Sequence, residues 1–395
     1  MRRPVLLAAL VAMAGGLHAQ EQSAPSVELR VAGPPISAEA TGQAFVYGDP
    51  RAIDPQREPL SQAYSMLGRE DLSAQSDNEY APAPCAPDAQ TVTGEAEVLA
   101  RIVDEASRHR VVIINESHTV TLHRYFSRKV IAALRPLGFT VLAAETFANN
   151  AGAGADPVDI HAGLPYVTQN LGWYSREPVF GAMLREAKGL GYRFAAYEQV
   201  YDPDRVRPGP DDDWRIDIRD RETEQAQNLA AILSAMAPEE KLIVLVGYAH
   251  AREAAVVGED GWDHAWMAAR LKRDHGIDPL TIEQTYCRGS SDSVRLAPPS
   301  ADKQGWFDLY VDHPIAAFIH GRPAWRFAQG EQAVPIPSAL RPTDEAWVIE
   351  VFAEGEPFDA VPVDRILVAP GDDVRLALKP GRYVARAVRL QPATD

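Results

Sequence analysis

Two short apolar runs, Val111-Val112-Ile113-Ile114 and Leu242-Ile243-Val244-Leu245-Val246, constrain the fold of this chain more than any other feature. Both are rich in β-branched residues and lack polar alternation, the pattern of a strand covered on both faces. Each leads at once into a polar segment holding a histidine: Asn115-Glu116-Ser117-His118 after the first and Gly247-Tyr248-Ala249-His250 after the second. Strands covered on both faces belong to parallel sheets, which bind ligands beyond their carboxyl ends. Two histidines so placed predict one shared site.

Strand and helix patterns alternate around these runs. The spacing predicts helices from Glu95 to Arg108 and over 122–134, 178–189, 214–235 and 262–274, and strands over 111–114, 139–144, 192–196, 242–246 and 279–285. Such alternation implies βαβ units with right-handed crossovers, hence an α/β fold with a parallel sheet and helices on both faces. From about residue 306 the helical signal stops. Ala346–Ala353, Arg365–Val368, Val374–Leu378 and Tyr383–Leu390 then alternate as strands between Gly and Pro turns, predicting a small C-terminal antiparallel β module. The expected organisation is a signal peptide over 1–20, an irregular extension over 21–93, an α/β domain carrying the site over 94–300, and a β-rich region over 301–395 whose module occupies about 340–395. Within the extension, Ser26–Val31 and Ala44–Tyr47 look strand-like.

With 395 residues, 46% of them apolar, the chain has enough material for a large core. Its net charge of -16 favours solubility and argues against binding nucleic acid or an anionic membrane surface. Arg2 and Arg3, the apolar or small stretch Val5–Gly16 and Leu17-His18-Ala19 read as an export signal cut near Ala19, implying a periplasmic or secreted protein. No stretch approaches the roughly 20 apolar residues of a membrane span. Cys85 and Cys287 are the two cysteines. In an oxidising compartment they either pair, pinning the extension to the body, or remain two thiols.

The chemistry gathers at the strand ends. Glu116 and His118 are two residues apart and face one side of an extended exit, while Glu145 follows Val141–Ala144 and Glu198 follows Phe194–Tyr197. Four strands, read as inner ones, thus end in ionisable side chains. A single acid there caps the next helix; four together make Glu116, His118, Glu145 and His250 catalytic candidates. The set would hold a divalent metal through His118, Glu145 and His250, or act without one, a carboxylate orienting a histidine that activates water. Satisfied structural histidines are the competing reading.

Substrate-binding candidates are His123, Glu198, Arg221 and Asn228. His123 either joins the site or caps its helix turn, and Arg221, Gln225 and Asn228 share a helix face that either holds a carboxylate or carbonyl or faces solvent. His264, between Trp262 and Trp266, reads as aromatic packing, and Asp211–Asp213 as favouring a helix N-terminus. His313 and His320 receive no role. The irregular segments 149–177 and 199–212 are expected to roof the pocket. No Gly-x-Ser-x-Gly, His-Glu-x-x-His, phosphate-loop or dinucleotide motif is present, which removes the serine α/β-hydrolase, zincin, nucleotidase and dehydrogenase readings.

These motifs, in this order over about residues 95–286, resemble the superfamily that joins erythromycin esterase-like, TraB and Tiki-type, and ChaN-like haem-binding proteins. Asn115 stands where that family usually has glycine, whereas Gly247-Tyr248-Ala249-His250 fits unchanged. The stretch from Thr121 through Phe139 to Glu145-Thr146-Phe147 is similar to the esterase-like and ChaN-like pattern. Arg221-Glu222-x-x-Gln225-Ala226-x-Asn228 resembles the esterase-like Arg-Asp-x-x-Met-Ala-x-Asn, with Gln in place of Met. The esterase-like branch implies lactone opening by water, with His118 or His250 as base and Glu116 and Glu145 as supports. The Tiki-type branch implies peptide cleavage with a divalent metal on the same histidines. The ChaN-like branch implies haem or iron binding without hydrolysis. The expectation is an exported hydrolase of an ester or amide bond in a small-molecule or peptide substrate, with or without a divalent metal. The alternatives are a non-catalytic haem- or iron-binding protein, and a degenerate scaffold whose β-rich end is an attachment module.

Overall fold

The computed structural model describes residues 26–52, 60–85, 91–149, 158–200, 202, 204, 213–257 and 262–391. The expected export signal lies outside these residues, as do Asp211, Asp212 and most of 199–212. The first apolar run forms strand β3 (Val111–Glu116), all six residues of which are buried. Its side chains alternate between two cores. Val112 and Ile114 pack on one face with α3 (Glu95–Ala106), α4 (Thr121–Leu134) and α5 (Pro178–Gly189). Val111 and Ile113 pack on the other with α6 (Trp214–Ala235) and α7 (Met267–His275). Burial of each such side chain stabilises the fold by about 1.5–3 kcal/mol, which is why a run of this composition settles between two helical layers.

Strands β4 (Phe139–Ala144), β5 (Arg193–Ala195), β6 (Lys241–Gly247), β9 (Leu280–Arg288) and β11 (Leu309–His313) join β3 in the parallel order β11-β9-β3-β6-β4-β5. Short antiparallel strands β10 (Arg295–Leu296) and β2 (Val92–Thr93) extend the β11 edge. The fold is α/β, as expected. Strand β5, however, is an edge strand, so Glu198 does not follow an inner one.

The helix expected over 262–274 begins only at Met267, because residues 263–264 pair with Val256–Val257 as the small ladder β7–β8. Its start is fixed from afar: Glu222 of α6 accepts the Met267 N–H at 2.6 Å. Local periodicity carries no trace of such a cap.

The N-terminal extension is more ordered than expected. It contains helices α1 (Leu60–Met66) and α2 (Glu70–Ser76), and Ala44–Tyr47 is a 3-10 turn rather than a strand. That turn buries Tyr47, whose hydroxyl donates to Glu350 at 2.9 Å. Strand β1 (Val27–Val31) leaves the extension to pair in parallel with β18 (Gly381–Arg389). Beyond β18 lie β15 (Trp347–Ala353) and β16 (Asp364–Val368), both antiparallel. The expected strand near 374–378 is β17 (Arg375–Leu378), which pairs with β14 (Gln332–Pro335) instead of joining the four-stranded sheet. A two-stranded turn, β12 (Phe318–Ile319) with β13 (Arg322–Pro323), and the short helix α8 (Ala324–Ala328) complete the chain. Among the described residues no helix is long and apolar enough to cross a membrane. Cys85 and Cys287 are joined as a disulfide, with their Cα atoms 5.3 Å apart.

The C-terminal sheet grips the segment over the site. Arg365 is fully buried and donates to Glu350 from Nε and Nη2, at 3.0 and 2.9 Å. It also reaches the carbonyls of Met66 and Arg176 and the Gln169 side chain. Val361 N–H donates to Val167, and Gln169 N–H to Asp359, each at 2.8 Å. Removing one partner of such a buried pair leaves the other charge short of compensation. Arg365→Met is therefore expected to lower unfolding free energy by about 3–5 kcal/mol in urea titration; a loss below about 1 kcal/mol, the size of a surface pair, would contradict this.

Candidate functional site

The register of the sheet assembles the site. Glu116 stands opposite Gly247 across β3 and β6, and the residue after β4, Glu145, donates its N–H to Leu245 at 2.9 Å. Asn115 ties three strand ends together. Its Nδ2 donates to the Tyr248 carbonyl at 2.8 Å and to Glu283 at 2.9 Å, and its Oδ1 accepts the Gln284 N–H at 2.7 Å.

One half of the site is built on a buried arginine. Arg124 of α4 makes a two-point pair with Glu116, from Nε at 2.8 Å and Nη2 at 2.9 Å. It also donates to the His118 carbonyl at 3.0 Å and to Glu177 at 3.1 Å. Glu177 in turn caps α5, accepting the N–H groups of Val179 and Phe180 at 2.8 Å. Burial pushes the Glu116 carboxyl up, but Arg124 and His118 outweigh it and hold the group below its ordinary range. Ionised Glu116 lies 3.2 Å from His118 Nδ1. The imidazole packs on Tyr174, with ring centroids 4.4 Å apart, and against the edge of Tyr248 at 5.1 Å.

The other half centres on His250. Its Nδ1 lies 2.5 Å from Glu222 Oε1, a close contact whose angles fall outside a regular hydrogen bond. Trp266 stands edge-on to the ring at 5.3 Å. Burial alone would lower the His250 pKa, yet Glu222 and then Glu145 outweigh burial and Arg221, and the net shift is upward. This imidazole holds its second proton more firmly than a free one.

Glu145 sits between the halves. Its Oε2 accepts from Tyr174 Oη at 2.7 Å and Gly247 N–H at 2.8 Å, and its Oε1 accepts from Arg221 Nη2 at 2.7 Å. His118 Nε2 lies 3.9 Å from Oε2, and His250 Nε2 lies 3.6 Å from Oε1. Burial raises its pKa, but His250, His118 and Arg221 bring it far below the usual carboxylate value.

Glycine is required at 247 for room. Its φ of -81° is ordinary, but a Cβ there would fall 2.7 Å from His118 Nε2 and 3.2 Å from Glu145 Oε2. Gly172 serves likewise, since a Cβ would meet the Thr146 carbonyl at 1.7 Å. That close approach lays the loop bearing Tyr174 over Glu145. Tyr248 has φ 44°, a left-handed conformation costly outside glycine.

The structure thus brings Glu116, His118, Glu145 and His250 together. Arg221 joins them, bridging Glu145 to Glu198, which also accepts from Gln225 Nε2 at 3.0 Å. Asn228 and His123 do not meet the site as substrate contacts. Asn228 donates to the carbonyls of Tyr197 and Glu198 at 3.1 Å, bracing the strand end. His123 is buried, accepts the Ser117 N–H at 3.1 Å and packs on His313. Burial, with His313, Arg288 and Arg124 nearby, holds its pKa well below the ordinary value. His264 lies in β8 ahead of α7, and Asp213 caps α6 through the Arg215 N–H at 3.1 Å.

Five residues of the site escaped sequence reasoning: Arg124, Tyr174, Glu177, Glu222 and Tyr248. Glu222 carried the best available signal, since it adjoins Arg221 and lies one turn before Gln225 on α6. The loop after β3 is also braced by the extension. Tyr80 Oη and Ser65 Oγ donate to the Thr119 carbonyl at 2.7 and 2.9 Å, and Glu79 accepts from Ser117 and Thr119.

The donor set does not fit a divalent ion. Glu145 already accepts three hydrogens and Glu116 is closed by Arg124, so ligation would require breaking arginine pairs. Among the described residues no group of three or more His, Cys, Asp or Glu is arranged to hold a metal.

No family model matches the chain, and no curated protein matches it. Several solved structures are similar in part. The type III effector HopBA1 is 14% identical with a TM-score of 0.39, the match covering 60% of this chain and 99% of that one. RRSP, a MARTX toxin effector domain from Vibrio vulnificus CMCP6, is 18% identical with a TM-score of 0.31, covering 48% of this chain and 36% of that one. A structure described as bacterial protein toxins is 15% identical with a TM-score of 0.34, covering 57% and 46%. These are partial likenesses at low identity, and this chain spans less than half of the second and third.

Proposed function

We propose that this protein hydrolyses an ester or amide bond, with His118 as the base that activates water and His250 as the acid that protonates the leaving group. One observation carries the reading: each histidine is backed at Nδ1 by its own carboxylate, Glu116 at 3.2 Å and Glu222 at 2.5 Å, and their Nε2 atoms approach the two oxygens of the one Glu145 carboxylate. Environments that give two titratable groups opposite tasks are a mark of acid–base catalysis.

Glu116, kept ionised by Arg124, accepts the Nδ1 hydrogen of neutral His118 and leaves the Nε2 lone pair for water. Water oxygen attacks the carbonyl carbon as its proton passes to His118 Nε2. The tetrahedral oxyanion gains from the positive Arg221, whose Nη1 lies 3.5 Å from His250 Nε2. When the C–O or C–N bond breaks, the leaving atom takes the proton on His250. Proton exchange with solvent then resets the pair. The resemblance to the esterase-like branch supports this metal-free course, and the disulfide supports an oxidising, extracytoplasmic location.

A screen of lactone, ester and peptide substrates checks the roles directly. His118→Ala and His250→Ala are each expected to lower kcat/KM by about 10²–10⁴-fold with unchanged circular dichroism. Near-wild-type turnover in either would contradict the assignment.

The pH profile carries a second expectation. Activity that needs protonated His250 is present at low pH on this limb and is lost as pH rises through the His250 pKa, which lies above its ordinary 6.5. Glu222→Gln removes the largest upward influence, so the alkaline limb should move to lower pH. An unmoved limb would show that His250 is not the titrating acid.

A further inference from the structure

Two exposed rings meet on the segment that covers the site. Phe45 belongs to the 3-10 turn Ala44–Tyr47, and Trp173 directly precedes a second one, Tyr174–Arg176. Both turns bury their tyrosines, Tyr47 and Tyr174, yet Phe45 is 53% exposed and Trp173 45%. The two rings stack with centroids 5.5 Å apart and planes 27° from parallel. Along the second segment, Tyr174 and Glu177 turn inward to Glu145 and Arg124, whereas Trp173 and the half-buried Arg176 reach solvent. Rings left in water in this way gain most by being covered.

The charge beside them is unmatched. The Arg176 guanidinium lies 4.8 Å from the Phe45 ring centre and 5.8 Å from that of Trp173. Its Nε donates to Gln43 Oε1 at 3.0 Å and its Nη1 to the Trp173 carbonyl at 3.4 Å. Among the described residues, Nη2 has no acceptor and no carboxylate pairs with this arginine. Arg185 and Arg221, also partly buried, each meet at least one carboxylate. Burial and then the like charge of Arg365 bring the Arg176 pKa down to about 10. The cation is nonetheless held in place. Gln43 Nε2 donates to Asn170 Oδ1 at 3.3 Å, fixing the amide that takes Nε, and the Arg176 carbonyl accepts from Arg365 Nη1 at 3.2 Å.

We propose that Phe45, Trp173 and Arg176 form a binding site for a small aromatic carboxylate, separate from the histidine site. The carboxylate takes the open Nη2 in a charge-assisted hydrogen bond, and the ring of the ligand adds to the Phe45–Trp173 stack. The net charge of -16 selects a small acid over a polyanion, which the field of the whole chain would repel. A guanidinium already held by Gln43 loses little freedom when the ligand arrives. The inference does not rest on the hydrolase reading, since none of His118, Glu145, Arg221 or His250 takes part.

The experiment titrates the protein with phenylacetate, phenylacetamide and acetate. It follows the ¹⁵N-resolved indole N–H of Trp173, identified as the signal missing in Trp173→Phe. Phenylacetate should give a saturable shift. Phenylacetamide keeps the ring without the charge, acetate keeps the charge without the ring, and each should bind at least about tenfold more weakly. Arg176→Gln should weaken phenylacetate about 10–100-fold, the effect of losing a charge-assisted hydrogen bond. Phe45→Ala, at an exposed position, should weaken it about 2–10-fold. No saturable shift at Trp173, an equal response to phenylacetamide, or binding unchanged in Arg176→Gln would overturn the site, as would a shift confined to other indoles such as Trp266. The comparison of acid with amide uses the unaltered chain, so it decides the matter whether or not Arg176→Gln folds.

Discussion

The structure depends most on the buried charge of Arg124. A guanidinium with no solvent access survives only if its donors are met by anions and carbonyls, and here they are: Glu116 twice, Glu177 and the His118 backbone. These partners come from the end of β3, the N-terminus of α5 and the loop after β3. Satisfying one side chain therefore fixes three elements relative to one another. The same demand keeps Glu116 ionised and aimed at His118 Nδ1, so the cost of burying a cation becomes the orientation of an imidazole.

The parts of the chain remote from the chemistry act on it through the loops. Residues 167–177 carry Tyr174 and Glu177, and the C-terminal sheet holds them by backbone pairing at Val167 and Gln169 and through Arg365. The extension holds the loop after β3 through Ser65, Glu79 and Tyr80, and the disulfide to Cys287 anchors the end of that brace. The β-rich region thus buttresses the site, a role its sequence pattern does not disclose.

What the sequence disclosed follows from the range of the forces involved. Buried parallel strands betray themselves by unbroken Val and Ile, and the residue after such a strand is at the ligand-binding edge whatever else the chain does. Glu116, His118, Glu145 and His250 were legible for that reason. Arg124 and Glu222 were not, because an ordinary helical position becomes functional only through a partner far away in sequence. The same long-range cause moved the start of α7, set by Glu222, and placed β1 beside β18. His123 misled because histidine near a site looks alike whether it faces substrate or, as here, accepts a backbone N–H in the core.

The central claim is that each imidazole is oriented at Nδ1 by its own carboxylate, and ¹⁵N-resolved NMR of the histidine rings measures it most directly. The account predicts that neutral His118 carries its hydrogen on Nδ1, and that His250 keeps both hydrogens to a pH above that of a free imidazole. A His118 hydrogen on Nε2, or a His250 that loses its second proton below the ordinary value, would contradict the account.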